Sequence, residues 1–102
     1  MDDDRMKLQT LLEEVLGSKQ VYFQPPSSIR MKYPAIVYSR SNIENLPADD
    51  SVYIQRHSYT ITVMDYDPDS EIVKKISMIP RIRFSNHFTS DGLNHDVFTI
   101  TY

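Results

Sequence analysis

The C-terminal half of the chain, Arg56 to Tyr102, decides the fold, and its sequence is RHSYTITVMDYDPDSEIVKKISMIPRIRFSNHFTSDGLNHDVFTITY. Polar and apolar residues alternate from Arg56 to Met64, which predicts a β-strand. The acidic turn Asp65–Asp69 follows, and then a short apolar-striped helix. Two further predicted strands follow, and the segment Ser90-Asp91-Gly92-Leu93-Asn94-His95-Asp96 connects them. This order predicts helices packed on a small sheet.

Each predicted strand of this half has one apolar face. In the first, the residues expected to share the core face are His57, Tyr59, Ile61 and Val63, and those expected to face away are Ser58, Thr60, Thr62 and Met64. In Arg81 to Phe88, Ile82, Phe84 and Phe88 are expected on one face, and Arg81, Arg83, Ser85 and His87 on the other. In the last strand, Val97 to Tyr102, the residues expected to point inward are Phe98, Ile100 and Tyr102, and those expected to point outward are Val97, Thr99 and Thr101. Asp91-Gly92 predicts the turn between the last two strands.

The helix between these strands has recognisable ends. Asp67 before Pro68 is typical of an N-cap followed by the first helical position. The apolar stripe is Ile72, Val73, Ile76 and Ile79. Pro80 prevents the helix from continuing.

The N-terminal half adds one helix and two strands. Leu8, Leu11, Leu12, Val15 and Leu16 form one stripe of an amphipathic helix, with acidic residues at its start and Gly17 as C-cap. Val21–Phe23 and Tyr33 to Arg40 are predicted strands, separated by a segment that contains Pro25 and Pro26. Ser41 to Ser51 shows no periodicity and is predicted to be a long protruding loop.

Together these elements predict one α+β domain over residues 1–102. The order is α-β-β-β-α-β-β, with a mostly antiparallel sheet and two helices packed on one face. The opposite sheet face, rich in Thr, Ser and Arg, is expected to remain uncovered.

Composition excludes several classes of protein. The 102-residue chain has no cysteine, which excludes disulfide scaffolds and thiol catalysis. The net charge of −3, with basic residues spread along the sequence, argues against specific nucleic-acid binding. No apolar run is long enough to cross a membrane, and the acidic N-terminus is unlike a signal peptide. We therefore expect a soluble protein made in the cytoplasm.

No pattern of reactive residues stands out. His57, His87 and His95 are far apart in sequence and lack helical metal-ligand spacing. His95-Asp96 with Asp91 nearby is consistent with a small carboxylate–imidazole cluster, although turn chemistry explains these residues more simply. The carboxylates at 65, 67, 69 and 71 fail the calcium-loop pattern because Ser70 and Ile76 occupy the required Gly and Glu positions. We predict no enzyme activity, no metal and no cofactor.

Ile29 to Tyr33 alternates apolar and basic residues. If this segment is exposed, it is suited to pair as an extra strand with the sheet edge of a neighbouring subunit. It is equally suited to form an edge strand within its own domain.

The element order and several short segments resemble the tail-completion or tail-terminator proteins of long-tailed bacteriophages and prophages, also described as head–tail joining or minor structural proteins. The segments are the helix Leu8 to Leu16, Pro34 to Tyr38, Tyr59 to Val63 with its continuation to Ile72, and Asp91 to Phe98 with the ending Ile100-Thr101-Tyr102.

The resemblance implies a virion structural protein without catalysis or cofactor. It implies a ring, expected to be hexameric, that caps the tail tube and docks on the head-completion or connector protein. The residues proposed for subunit or partner contact are Ile29, Met31, Ile43, Glu44, Leu46, Asp49 and Asp50. In a lumen that passes DNA, the acidic members of this set are expected to repel phosphate.

Two alternatives remain open from the sequence. One is a monomeric adaptor domain that binds a single protein partner. The other is a small metal-dependent hydrolase or nuclease that uses His87, His95 and Asp91.

Overall fold

Two helices cover one face of a five-stranded sheet in a computed structural model that describes residues 2–47 and 53–102. The elements are α1 (Asp2–Leu16), β1 (Val21–Phe23), β2 (Ala35–Pro47), β3 (Tyr53–Asp65), α2 (Glu71–Ser77), β4 (Ile82–Ser90) and β5 (Leu93–Thr101). The strand order is β1-β2-β3-β5-β4, with β1 parallel to β2 and every other pair antiparallel. The predicted α+β class and element order are confirmed.

The main core lies between the helices and the sheet. Leu8 and Leu12 of α1 and Ile76 of α2 are fully buried against the strands. The buried strand residues are Val21, Ile36, Tyr38, Tyr59, Ile61, Val63, Phe98 and Ile100. The α2 stripe and the β3 and β5 faces were therefore predicted correctly, because each carries an unbroken apolar period. The α1 stripe is confirmed except at Leu11, which lines a surface groove with Met6 and Lys7 instead of packing on this core.

The predicted end of α1 is also confirmed. Gly17 has φ of +79° and donates its N–H to the Glu13 carbonyl at 2.8 Å. A left-handed residue at this position is the usual way to stop a helix, and glycine adopts it without a Cβ penalty.

The segment between β1 and β2 crosses the second face of the sheet. Ala35, Met64 and Leu93 are buried there, and Met31 packs on them with Tyr22 and Val37. The expectation that this whole face is uncovered is therefore wrong at this end. The prediction that Ile29 to Tyr33 forms an internal edge strand is wrong as well, because these residues form no strand within this chain.

The predicted loop Ser41 to Ser51 is mostly strand. Residues through Pro47 continue β2 and pair with β3, whereas 48–52 lie outside the described residues. Asn and Pro are poor strand formers, so the local sequence favoured a loop. Pairing with β3 overrides that preference.

Helix α2 begins later than Asp67-Pro68 predicts. Ser70 is the N-cap, and its hydroxyl accepts the Ile72 N–H at 3.2 Å. Asp65 and Asp67 instead accept the N–H groups of Asp67 and Asp69 within the acidic turn, at 3.0 and 2.9 Å. Local side-chain bonds of this kind compete with helix formation.

A bulge in β4 changes which face its last residues occupy. Phe84 pairs with Phe98, but Asn86 pairs with Val97, so Ser85 is the extra residue. Phe88 therefore lies beside His95 on the face away from the helices, contrary to the prediction that it shares a face with Phe84. One inserted residue exchanges the faces of everything beyond it.

The Asp91-Gly92 turn is confirmed. Asp91 and Gly92 have φ of +54° and +78°, and Ser90 pairs with Leu93. Two consecutive positive φ values match the tight hairpin turn that Asp-Gly favours.

Candidate functional site: a projecting ribbon and an arginine pocket

Strands β2 and β3 extend beyond the rest of the sheet. Strand β1 pairs only with Ile36–Tyr38, and the pairing of β5 with β3 ends at Ser58. Residues 42–47 and 53–57 therefore form a two-stranded ribbon, called the ribbon below. At about 3.3 Å per residue it is roughly 20 Å long. It accounts for the elongated shape of the described chain, whose extents are 52 × 25 × 22 Å.

The ribbon begins at a second bulge. Arg40 pairs with Tyr59, but Asn42 pairs with Ser58, which leaves Ser41 as the extra residue. Ile43 is consequently turned to the helix side, opposite His57, although no described helix extends over it. Its side chain is 45% exposed. An isolated two-stranded hairpin is marginally stable in water, so the ribbon is expected to be less stable than the five-stranded part of the sheet.

The structure places the proposed contact residues in three regions. Ile43, Glu44 and Leu46 lie on the ribbon. Ile29 and Met31 lie in the segment between β1 and β2. Ile29 is 38% exposed, and Met31 is half-buried against Ala35, Met64 and Leu93. Asp49 and Asp50 lie outside the described residues.

A basic pocket lies at the base of the ribbon. Arg56, Arg81, Arg83, Thr99 and Thr101 line a cavity of about 540 Å³ on the sheet face away from the helices. Arg83 pairs with Thr99 across β4 and β5, and Ser58 pairs with Thr101 across β3 and β5. These registers bring side chains from three strands together. We call this site the arginine pocket.

The three guanidinium groups have no carboxylate partner in the part of the chain that the structure describes. The contacts between basic and acidic side chains found there join Lys74 to Glu71 and the His87 imidazole to Asp96. Arg56 is the cross-strand partner of Glu44, yet these two residues do not approach to ion-pair distance. Three like charges around one cavity repel one another, so the arginine pocket favours a bound anion.

Arg81, which lines the pocket, has an unusual backbone conformation. Its φ is +66°, a left-handed conformation that a side chain with a Cβ adopts at a cost of about 1 kcal/mol. Residues held in such conformations concentrate at functional sites.

Sequence reasoning missed this pocket because Arg56 is far from Arg81 and Arg83 along the chain. The alternation in the strands assigned Arg83 and Thr99 correctly to the outward faces. The missing information was the strand order, which places β5 between β3 and β4.

The acidic turn lies at the opposite end of β3. Asp67 and Asp69 are exposed, and Tyr66 is 60% exposed beside Tyr33, with ring centroids 5.6 Å apart. The Asn94 amide donates to the Asp65 and Tyr66 carbonyls at 3.2 and 3.3 Å. The turn is therefore fixed to the β4–β5 hairpin.

Strand β4 forms a long free edge of the described sheet. It has nine residues, against three in β1 at the other edge, and nearly all of its side chains are exposed. Phe84 is 58% exposed although its ring packs edge-on against Phe98 at 5.5 Å. An exposed edge of this length can pair with another chain.

The histidines do not converge. The His87 Nδ1 lies 2.8 Å from Asp96 Oδ1, whereas the His95 ring stacks on Phe88 at 4.5 Å on the other sheet face. Asp96 therefore pairs with His87 and not with His95 as the sequence alternative expected. Within residues 2–47 and 53–102, no group of three or more potential ligands is close enough to hold a metal ion.

A partly buried polar contact joins α1 to the sheet through Tyr38. The Tyr38 hydroxyl donates to Gln9 Oε1 at 2.5 Å and accepts from Arg5 Nη1 at 3.2 Å. Burial raises the pKa of Tyr38 above its ordinary value of 10.0, and the Arg5 guanidinium offsets part of that rise. This contact stabilises the fold and lies away from the arginine pocket.

No protein-family model matches the chain, and a search of curated proteins finds no relative. Among the described helices, none is both long and apolar enough to span a membrane.

Proposed function

We propose that this chain is a non-enzymatic structural protein of a long-tailed bacteriophage or prophage. In this proposal it assembles as a ring, expected to be hexameric, at the tail end, and joins the tail tube to the head connector. It is made in the host cytoplasm and acts in the virion. The family assignment rests on the sequence resemblance given above, and the assembly rests on the ribbon.

The ribbon is the observation that carries the proposal. It projects about 20 Å from the sheet as only two strands, a length that such a hairpin does not stabilise well alone. It also exposes Ile43 on its helix side. A neighbouring copy would supply the missing packing.

A ring requires two different surfaces on each copy, because its contacts are head-to-tail. The ribbon is one. The free edge of β4 is the other, and its nine residues span about 30 Å. The ribbon is therefore short enough to lie along the β4 edge of the next copy.

The exposed area is sufficient for two such contacts. A stable contact covers roughly 800 Å² on each partner. Two contacts per copy would cover about a quarter of the 6779 Å² accessible surface of the chain.

The test is the oligomeric state of the wild-type chain and of an Ile43→Asp variant, measured by light scattering after size exclusion and by electron microscopy. The wild type is expected to form closed rings. Ile43→Asp is expected to weaken them, because the new carboxylate must be desolvated in the contact. Met6→Asp is the matched control, since Met6 is 48% exposed on α1.

A wild-type chain that remains monomeric at high concentration contradicts ring assembly and favours the adaptor alternative. Rings that persist unchanged in Ile43→Asp contradict the role of the ribbon. The phage assignment has its own test, because the gene is expected to neighbour genes for a tail tube and a head-completion protein.

A further inference from the structure

We infer that the arginine pocket of one copy binds the acidic turn of the next copy. The ligand of the pocket is thus a pair of peptide carboxylates, Asp67 and Asp69, supplied by the same protein. This inference rests on the proposed self-assembly and identifies the charged contact within it.

The pocket has the chemistry of a carboxylate receptor. Arg56, Arg81 and Arg83 each offer a planar set of N–H donors that can hold a carboxylate through two parallel hydrogen bonds. The hydroxyls of Thr99 and Thr101 line the same cavity and can donate to the same group. The one nearby cross-strand carboxylate, Glu44, cannot neutralise three guanidinium groups.

The acidic turn is preorganised for binding. One oxygen of Asp67 accepts the Asp69 N–H, and one oxygen of Asp65 accepts the Asp67 N–H. These bonds restrain the backbone of the turn while Asp67 and Asp69 remain exposed. A preformed ligand loses little conformational entropy when it binds.

The two surfaces cannot meet within one chain. Arg56 lies near the start of β3 and Asp65 at its end, so about 30 Å of extended strand separates them. A cationic surface at one end and an anionic surface at the other favour head-to-tail association, which propagates around a ring.

The placement also agrees with the ribbon contact. Arg56 lies at the base of the ribbon, and the acidic turn is bonded through Asn94 to the β4–β5 hairpin. If the pocket holds the acidic turn of the next copy, the ribbon beyond it reaches along the β4 edge of that copy. A phosphate polymer is the less favourable ligand, because a net charge of −3 repels a long polyanion.

The test is a charge exchange between the two surfaces. The first variant is Arg56→Glu with Arg83→Glu, and the second is Asp67→Lys with Asp69→Lys. Each alone is expected to weaken self-association at least about tenfold, because like charges then face each other. Mixed in equal amounts, the two variants are expected to regain wild-type association, since every exchanged pocket then meets an exchanged turn.

The control for the first variant is Lys7→Glu with Lys19→Glu, which makes the same change in net charge at two exposed lysines elsewhere. It is expected to associate within twofold of the wild type. Sedimentation velocity gives the association constants, and circular dichroism confirms that each variant is folded.

Wild-type rings that persist in the first variant overturn this inference while leaving the ribbon-based assembly intact. Loss of association that mixing does not restore also overturns it. A third result would overturn it: the pocket binds inorganic phosphate or an oligonucleotide, and the variant Asp67→Lys with Asp69→Lys associates as the wild type does. A wild-type chain that never associates overturns the inference together with the proposed function.

Discussion

Replacing Arg81 by glycine should make the fold more stable and its self-association weaker. Arg81 has φ of +66°, which costs about 1 kcal/mol for a residue with a Cβ. Glycine removes that cost but increases the freedom of the unfolded chain by roughly 0.5 kcal/mol. The expected net stabilisation is about 0.5 kcal/mol, or ~3 °C in the unfolding temperature of a domain this size.

A second substitution separates the backbone from the guanidinium group. Arg81→Ala loses the same charge as Arg81→Gly but keeps the left-handed penalty. We expect the alanine variant to be about 0.5 kcal/mol less stable than the glycine variant, since glycine relieves the strain but gives the unfolded chain more freedom. Both should associate less tightly than the wild type, because each removes one of three cationic groups from the arginine pocket.

The assays are urea unfolding, followed by circular dichroism, and sedimentation velocity on the same samples. Equal stability of the glycine and alanine variants would refute the argument from backbone strain. Wild-type association in both variants would show that Arg81 adopts this conformation for a reason unconnected with binding.

Two further predictions concern the fold. Tyr38→Phe should cost about 1–2 kcal/mol through the lost contacts to Gln9 and Arg5. The same substitution should also flatten the pH dependence of the unfolding free energy. Because the pKa of Tyr38 is raised in the folded state, the wild type loses stability as the pH rises from 10.0 through the folded-state pKa. Phenylalanine cannot ionise, so the variant lacks this loss. Thermal melts from pH 8 to 11 check both effects, and parallel curves for the two proteins would contradict the second. Ser70→Ala should cost about 1 kcal/mol in urea unfolding because Ser70 caps α2, whereas a larger cost for Asp67→Ala would restore Asp67 as the cap.

The parts of the fold predicted correctly are those with an uninterrupted apolar period. Helix α1 and strands β3 and β5 bury the residues that their periodicity indicates, such as Leu12, Ile61 and Phe98. The Asp91-Gly92 turn was predictable because few other residues tolerate two successive positive φ values. Each of these features depends on neighbours within one element.

The features that sequence reasoning missed depend on pairing between elements. Single extra residues at Ser41 and Ser85 reverse the faces of the ribbon and of the end of β4, and neither serine differs from an ordinary strand residue in sequence. The β-strand at 41–47 exists because β3 pairs with it, against the local preference of asparagine and proline.

The candidate site divides in the same way. Ile43, Glu44 and Leu46 were selected because their segment lacked periodicity, and they lie on the projecting ribbon. The arginine pocket requires the non-consecutive order β3-β5-β4, which no local pattern contains.

The central claim is that a neighbouring copy stabilises the ribbon, and amide hydrogen exchange tests it most directly. Exchange is measured at residues 42–46 and 53–57, since Pro47 has no backbone N–H, in dilute monomer and in concentrated, assembled protein. We predict rapid exchange in the monomer and slow exchange after assembly, while amides of the β3–β5 core stay slow in both. Ribbon amides that are equally protected at both concentrations would contradict the claim.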